Sequence, residues 1–405
     1  MSGIWSALPF ALLILAVAVM PLVRPRWWLK YYALVTLVLS LPVLLTYVVF
    51  ERNAGPVWGL VREYFSFICL IGSLYIIAGG ILIRIVAPAR PVFNLLILSF
   101  GALVSNVIGT TGASMLLIRS YLNVNRRRFQ AYLIPFFIFV VANIGGGLTP
   151  IGDPPLFLGY INGVPFFWVM GRVWYIWLLA LALVLGVFYA LDRRNRASHA
   201  QARRPLRINV QGYRSLILLA IVLIAVFART PVRELVMIGA AAASYFFTRK
   251  EVHRRNRFSF RPIIEVAVLF AGLFVTMAPV LRLLELNAAR LGLSTPGHYF
   301  WATGILSGFL DNTPTYRVFL ELVRASCGGD IAQLLTNSPA LVKAISLGAV
   351  FFGAMTYIGN GPNFMVKSIA EHRHLKVPHF FEYMVRFSLP ILLPVFVVIR
   401  LLFLR

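Results

Sequence analysis

Ten apolar segments, each about long enough to cross a lipid bilayer, constrain the fold of this chain more than any other feature. They are residues 4–23, 31–50, 64–86, 132–157, 173–191, 215–228, 235–248, 263–284, 341–369 and 381–402. A membrane-spanning helix needs about 20 mostly apolar residues. Since 60% of the 405 residues are hydrophobic and only 13% are charged, the composition excludes a soluble enzyme, a disordered chain and a nucleic-acid-binding domain. We therefore predict an all-α polytopic membrane protein.

Two further apolar segments, residues 92–118 and 299–322, carry polar residues at their centres. The chain has 38 Lys and Arg against 13 Asp and Glu, a net charge of +25, and the basic residues lie between apolar segments. Basic loops stay on the cytoplasmic side and contact anionic lipid headgroups. Most of the basic residues lie on one side of the membrane only if both interrupted segments are re-entrant hairpins, which leave the membrane on the side from which they enter. We therefore predict two such hairpins and both termini outside, with the bilayer rather than nucleic acid as the partner of the positive charge.

The chain repeats itself at a long period, because three motifs recur in the same order at nearly one spacing. Residues 149–157 align with 356–364, residues 105–107 with 311–313, and residues 164–167 with 377–380. In the predicted topology the two copies run in opposite directions, giving inverted repeats of about five spans, each with a hairpin and a broken helix. Inverted repeats are typical of secondary transporters, whose binding site lies between the repeats near the bilayer midplane.

The repeats divide the chain into five predicted parts. These are scaffold spans (1–63), a first transport repeat (64–191), a basic cytoplasmic linker (192–214), further scaffold spans (215–262) and a second transport repeat (263–405). The sequence has no Walker A motif, no nucleophile–base pair and no metal-ligand set, so we expect neither an enzyme nor an ATP-driven pump acting alone.

Each repeat contains a segment that cannot form one continuous helix. Residues 143–155 hold three consecutive glycines, a further glycine and three prolines, and residues 353–363 repeat the pattern. Glycine and proline disfavour the interior of a helix, so we predict a broken membrane helix in each repeat. A break exposes carbonyl groups, which suit a cation, and N–H groups at the positive end of a helix dipole, which suit an anion.

Two acidic residues, Asp153 and Asp311, lie within interrupted apolar segments. A carboxylate at the centre of a bilayer costs roughly 2.5–3.5 kcal/mol unless it is paired or neutralised. Because burial favours the protonated form of a carboxyl group, such a residue can exchange a proton for a metal ion. We predict that both acids bind sodium. The alternative is a structural salt bridge with an arginine such as Arg317.

Hydroxyl and amide groups at the hairpin tips and helix breaks provide further oxygen donors suited to sodium, and the amide N–H₂ can also bind an anion. The predicted ion- or substrate-binding residues are Ser105, Asn106, Asn143, Thr149, Gly152, Asp153, Asp311, Asn312, Thr313, Thr356, Gly359, Asn360 and Asn363. The expected ligand is a small inorganic ion or a small anion. We expect no resident cofactor, with the sodium ion and the proton as transported or coupling ions.

The motifs at 105–112, 143–155 and 310–315 resemble those of the ion transporter superfamily with its citrate-transporter-like domain. They look closest to sodium:proton antiporters of the NhaD type, and are also similar to arsenite permeases and to dicarboxylate and citrate carriers. The resemblance implies a scaffold, a moving transport core, alternating access and a homodimer. It places the hairpin-tip site at Ser105, Asn106, Asp311, Asn312 and Thr313. It places the broken-helix loops at Thr149, Gly152, Asp153, Thr356, Gly359 and Asn360.

Two departures from the dicarboxylate carriers bear on the substrate. Those carriers usually have Ser-Asn-Thr at both tips, whereas the second tip here begins with Asp311, and Asp153 stands where they often have threonine. The added negative charge disfavours an anion. We therefore predict a sodium:proton antiporter of a bacterial-type inner membrane. The alternatives are a carrier of citrate, other dicarboxylates or arsenite, for which Arg317 is the candidate cationic residue, and an ion channel of the same fold.

Overall fold

The computed structural model describes residues 4–50, 52, 54–88, 90–195, 206–287, 292–326 and 330–404. The helices before residue 200 are α1 (Leu8–Val23), α2 (Pro25–Leu45), α3 (Gly55–Gly79), α4 (Pro91–Val124), α5 (Leu133–Val140), α6 (Pro154–Ile161) and α7 (Trp168–Arg193). Those from 213 to 326 are α8 (Tyr213–Ala225), α9 (Val232–Phe247), α10 (Lys250–Arg255), α11 (Arg261–Asn287), α12 (Pro296–Phe309) and α13 (Asn312–Ser326). The last are α14 (Ile331–Asn337), α15 (Pro339–Phe352), α16 (Gly361–Glu371), α17 (Phe380–Tyr383) and α18 (Leu389–Phe403).

The predicted all-α membrane fold is confirmed. Within the described residues, six helices are long and apolar enough to cross a membrane, or seven if the bent pair of α14 and α15 forms one span. One of the six is α4, which folds back on itself as described below. Shorter apolar helices at Trp5–Pro21, Leu133–Gly146 and Tyr213–Ala225 account for three other predicted spans. Large apolar side chains remain exposed along the outer helices, such as Leu37 of α2 and Ile224 of α8, as expected of surfaces that face lipid.

A two-stranded antiparallel sheet corrects two details of the prediction. Strand β1 (Leu82–Val86) pairs with β2 (Arg207–Gln211). The end of the predicted helical span 64–86 is therefore a strand, because the helix ends at Gly79 and the next residues are rich in β-branched side chains, which favour strands. Part of the predicted linker 192–214 forms the partner strand, and residues 196–205 of that linker lie outside the described residues.

Helix α4 doubles back on itself at Gly109, as the hairpin prediction requires. In a straight helix, Asn94 and Asn125 would lie roughly 46 Å apart. Instead, Asn94 Nδ2 donates to Asn125 Oδ1 at 2.9 Å, and Asn125 Nδ2 donates back to Asn94 Oδ1 at 2.8 Å. The turn occurs where Gly109 adopts a φ of +76°, a left-handed conformation that favours glycine. Residues 91–108 and 110–124 are therefore the two arms of the first hairpin.

The second hairpin is formed by α12 and α13, which are joined by Leu310 and Asp311. The two helices pack on each other, and both pack on α15. The α12–α15 contact is especially close, because a methyl group added to Gly348 would lie 2.7 Å from the carbonyl oxygen of Phe300. Each predicted hairpin therefore lies beside the broken helix of its own half of the chain.

Both predicted helix breaks are present. After α5, a short 3₁₀ turn at Ile144–Gly146 leads into an irregular loop that ends where α6 begins. After α15, a 3₁₀ turn at Gly353–Met355 leads into a loop that ends where α16 begins. Helices α1 and α2 pack against α11, while α3 packs against α8, α9, α11 and the first hairpin. The two loops consequently lie inside the protein, where irregular backbone is tolerated at membrane depth.

Candidate functional site

Each hairpin tip is hydrogen-bonded to the broken-helix loop of its own half in an equivalent way. The N–H of Thr110 donates to the carbonyl oxygen of Gly152 at 2.8 Å, and the N–H of Asn312 donates to that of Gly359 at 3.2 Å. The hydroxyl groups of Thr149 and Thr356 are equivalent in the same way. That of Thr149 donates to the carbonyl oxygen of Asn106, and that of Thr356 donates to the carbonyl oxygen of Gly308, each at 2.6 Å.

These equivalent contacts correct the register in which the sequence aligned the two tips. Asn106 occupies the position of Gly308, and Thr110 the position of Asn312. The sequence aligned Asn106 with Asn312, which is wrong by four residues, about one helical turn. The two broken-helix loops keep the predicted register, because Thr149 matches Thr356 and Gly152 matches Gly359.

Asp153 lies at the centre of the contact between the two halves. Its Oδ1 accepts hydrogen bonds from the Thr110 hydroxyl at 3.0 Å and from Asn360 Nδ2 at 3.1 Å, and its Oδ2 accepts one from Asn312 Nδ2 at 2.6 Å. The side chain is fully buried. Among the described residues, no Lys, Arg or His forms an ion pair with it. The carboxyl group therefore has three neutral donors, two of them from the second half of the chain.

The four residues of this cluster share a position at the start of a helix. Asp153 precedes α6, Asn360 precedes α16, Asn312 begins α13, and Thr110 begins the second arm of α4. The N-terminal end of a helix is the positive end of its dipole and stabilises negative charge nearby. A carboxylate can therefore persist here without a cationic side chain, and it can bind a proton or a metal cation.

Three asparagines connect the two helix breaks. Asn143 Nδ2 donates to Asn363 Oδ1 at 2.7 Å, and Asn360 Nδ2 donates to Asn143 Oδ1 at 3.2 Å. Asn363 Nδ2 also donates to the carbonyl oxygens of Gly353 and Thr356, at 2.7 and 2.9 Å. These side chains give hydrogen-bond partners to backbone groups that the breaks leave free. Their contacts serve the shape of the loops, and only Asn360 reaches Asp153.

The remaining residues predicted at the first tip also bind backbone. Ser105 Oγ donates to the carbonyl oxygen of Val141 at 2.7 Å. Asn106 Nδ2 donates to that of Gly145 at 2.6 Å, and Asn106 Oδ1 accepts the N–H of Leu148 at 3.0 Å. In the second half, Thr313 Oγ1 donates to Asn312 Oδ1 at 3.2 Å and so helps to orient an amide that binds Asp153.

Asp311 has different partners from Asp153. Its Oδ1 accepts the N–H of Thr313 at 2.9 Å, which caps the start of α13. It also lines a small cavity of about 10 Å³ between the second tip and apolar side chains that include Ile14 of α1 and Leu273 of α11. Asp311 is the residue before Asn312, whose amide group donates to Asp153 Oδ2. The structure therefore brings Asp311 near Asp153 without giving the pair a common hydrogen-bond partner.

A second cavity of about 20 Å³ reaches the Asp153 cluster from the side of α3. Tyr75, Gly109, Thr110, Thr111 and Pro154 are among the residues that line it. A volume of this size holds about one water molecule. Thr110 both lines the cavity and binds Asp153. A small ion or water in the cavity would therefore be separated from the buried carboxyl group by the side chain of Thr110.

Thr110 is the residue of this cluster that was missed by the sequence analysis. It lies inside the predicted tip motif 105–112, but the alignment of the two tips directed attention to Ser105 and Asn106. The signal that could have found it is Gly109, because a glycine in the middle of an apolar segment marks a sharp turn. The residue after such a turn begins the next helical arm and therefore faces the opposing loop.

The sequence matches a known protein family over nearly its whole length. A family model described as "Putative citrate transport" matches residues 1–404. The chain belongs to this family. The protein is thus a citrate-transporter-like membrane transporter, which confirms the resemblance to that superfamily and points away from an enzyme. A comparison with curated proteins found no match.

In the first broken-helix loop, the backbone at Gly152 passes very close to the backbone at Gly146. A methyl group at this position would overlap the carbonyl oxygen of Gly146 and lie 3.0 Å from Asn106 Oδ1. We expect Gly152→Ala to lower stability by about 1–3 kcal/mol, as overpacking does, and to abolish transport because Asp153 is the next residue. Gly186→Ala is the control, since nothing lies within 4 Å of the added methyl group. Equal transport by both variants in proteoliposomes would contradict the prediction.

Proposed function

We propose that this transporter exchanges sodium ions for protons, with Asp153 as the residue that binds them in turn. The observation that carries the proposal is a fully buried carboxyl group with three neutral hydrogen-bond donors and, among the described residues, no ion-pair partner. A buried acid in a membrane protein needs a proton or a cation to neutralise it. Both halves of the chain hold it, so relative movement of the halves would change its exposure.

The residues around Asp153 supply the oxygen atoms that sodium prefers. Thr110 offers its hydroxyl oxygen, and rotation of the Asn312 or Asn360 amide would exchange its nitrogen for its oxygen. With a proton bound, Asp153 is neutral: its O–H can donate to the Thr110 hydroxyl oxygen, while the amide N–H groups of Asn312 and Asn360 still donate to the carboxyl oxygens. With the proton released, the carboxylate attracts sodium. Sodium would then bind while the site is open to the cytoplasm, and the proton gradient would drive its export.

The second candidate is carriage of citrate or a related anion, which the family description favours. The four helix starts around Asp153 also favour an anion. The ion pairs of Arg317, the cationic residue considered for such a carrier, argue against anion transport. Its Nε donates to Glu63 Oε2 at 3.0 Å and its Nη1 to Glu321 Oε2 at 2.9 Å, so two carboxylates already balance its charge. We place sodium:proton exchange first for this reason.

The pH dependence of transport separates the two candidates. If sodium displaces one proton, its apparent affinity should weaken by up to about tenfold for each unit by which the pH falls. The measurement uses proteoliposomes with a pH-sensitive dye inside, to which sodium, citrate or arsenite is added at a series of pH values. If dye recovery needs citrate or arsenite and does not respond to sodium, the protein is an anion carrier and the proposal of an antiporter is wrong.

The setting of the transporter is also part of the proposal. We propose that it works as a homodimer in a bacterial-type inner membrane with the basic loops in the cytoplasm, as the charge pattern and the resemblance imply. Labelling of single cysteines placed at Arg126 and Arg229 from either side of intact cells tests the orientation. Arg126 should react only after the cells are opened.

A further inference from the structure

The loop between α10 and α11 is tied to the end of α3 by buried contacts. Asn256 Nδ2 donates to the carbonyl oxygens of Gly79 and Ile81, at 2.9 and 2.7 Å. The hydroxyl group of Tyr75 donates to the carbonyl oxygen of Ser259 at 2.8 Å. Because these contacts hold both sides of the loop, the one residue between them that carries a charge, Arg257, has a defined backbone position.

Arg257 occupies a backbone position that normally belongs to glycine. Its N–H donates to Arg254 O at 3.0 Å, and the N–H of Phe258 donates to His253 O at 2.9 Å. This pair of bonds is the Schellman pattern at a helix end, whose left-handed residue is usually glycine. Arg257 accordingly has a φ of +45°. Glycine would relieve the strain of this position but would lose the charged side chain.

Three more arginines, Arg119, Arg126 and Arg373, come from other parts of the chain and lie near Arg257 or near one another. Arg373 follows α16, and its Nη1 donates to Asn123 Oδ1 at 2.8 Å and to the carbonyl oxygen of Arg119 at 3.4 Å. The charge of Arg257 interacts with those of Arg119 and Arg373, and the charge of Arg126 interacts with that of Arg373. Burial, followed by the charges of Arg257 and Arg126, lowers the pKa of Arg373.

No carboxylate balances this group within the described part of the chain. Of the neighbouring acids, Glu251 pairs with Arg254 and Arg255, and Glu371 pairs with Lys367. Basic loops are expected on a cytoplasmic face, but such residues are usually solvated and repel one another into separate directions. Here Arg119 and Arg373 are half-buried beside each other. An arrangement of like charges of this kind is stabilised by a bound anion.

We propose that Arg119, Arg126, Arg257 and Arg373 form a binding site for a phosphate group, either free phosphate or the headgroup of an anionic phospholipid. The guanidinium group binds phosphate oxygens with two parallel N–H donors, which makes arginine the preferred residue for this ligand. Arg257 belongs to the loop tied to α3, whereas Arg119 lies on α4, Arg126 follows the end of α4 and Arg373 follows the end of α16. A bound phosphate group therefore bridges these parts and stabilises their present arrangement.

The test uses Arg257→Gly, because glycine suits the left-handed position and keeps the fold intact. Thermal unfolding of the purified full-length protein is followed with inorganic phosphate or with chloride at equal ionic strength, and in nanodiscs with or without phosphatidylglycerol. Phosphate or phosphatidylglycerol should raise the Tm of the wild type. Arg257→Gly should unfold at the same or a higher temperature without ligand, and should weaken the apparent phosphate affinity by about tenfold, as loss of one charge-assisted contact does.

Arg214→Gln is the matched control, since it removes one exposed charge that stacks on Tyr213 and should leave the Tm shift unchanged. A shift with inorganic phosphate identifies a soluble ligand, and a shift with phosphatidylglycerol alone identifies the lipid headgroup. The proposal is overturned if neither raises the Tm, or if Arg257→Gly and Arg214→Gln respond like the wild type. Sodium and proton transport need not change in either variant, so the outcome is independent of the proposed exchange.

Discussion

Asp153→Asn is expected to abolish sodium-dependent proton flux while the protein remains folded in the membrane. Asparagine has nearly the same shape as the buried aspartate, but it neither titrates nor balances the charge of a bound cation. Its N–H₂ group would also face the donors of Thr110, Asn312 or Asn360. We expect a loss of at least about 100-fold, as for removal of a positioned proton-transfer group. The measurement is dye recovery in proteoliposomes after addition of sodium.

Asp311→Asn is the comparison for this variant. Asparagine caps a helix about as well as aspartate, so the contact with the N–H of Thr313 can persist. We expect a smaller loss of flux and a weaker pH dependence, because one interacting negative charge is removed. Wild-type flux in Asp153→Asn would make Asp153 a structural residue. Equal losses in the two variants would favour the joint sodium site that the sequence predicted.

Arg317→Met should destabilise the protein more than any surface substitution. Arg317 is buried between Glu63 of α3 and Glu321 of α13, whose side chains are 19% and 2% exposed. Removing one partner of a buried ion pair typically costs about 3–5 kcal/mol, because the remaining charge is left uncompensated. Asn162 Nδ2 also donates to Glu63 at 3.1 Å, so the loss extends to the end of α6. Thermal unfolding in detergent measures the effect as a fall in Tm.

An exposed ion pair provides the control for Arg317. Arg386 pairs with Glu382 at 3.1 Å, but the two side chains are 71% and 37% exposed. We expect Arg386→Met to change stability by less than about 1 kcal/mol. Glu63→Gln combined with Arg317→Met should recover part of the loss, because fewer charges are then buried alone. A Tm of Arg317→Met equal to that of the wild type would show that the buried network contributes nothing to stability.

Length and polarity were sufficient to predict the class of fold. An apolar segment of about 20 residues has few alternatives to a membrane helix, and glycine and proline inside such a segment leave few alternatives to a break. The breaks after α5 and α15 and the turn at Gly109 follow from these rules. The strand β1 does not, because β-branched residues at the end of an apolar segment suit either a helix or a strand until a partner strand is present.

The sequence by itself determined the membrane fold, the two hairpins, the two breaks and the position of Asp153 in one of them. Only the tertiary structure decided which residues surround Asp153. Residues four apart lie on the same face of a helix, so a sequence alignment can slip by one turn and still look consistent, as it did for Asn106 and Asn312. The partners Thr110, Asn312 and Asn360 come from segments 43, 159 and 207 residues away from Asp153. Contacts over such separations are set by how hairpins and loops pack, which is why Thr110 joins the cluster and Asp311 caps a helix beside it.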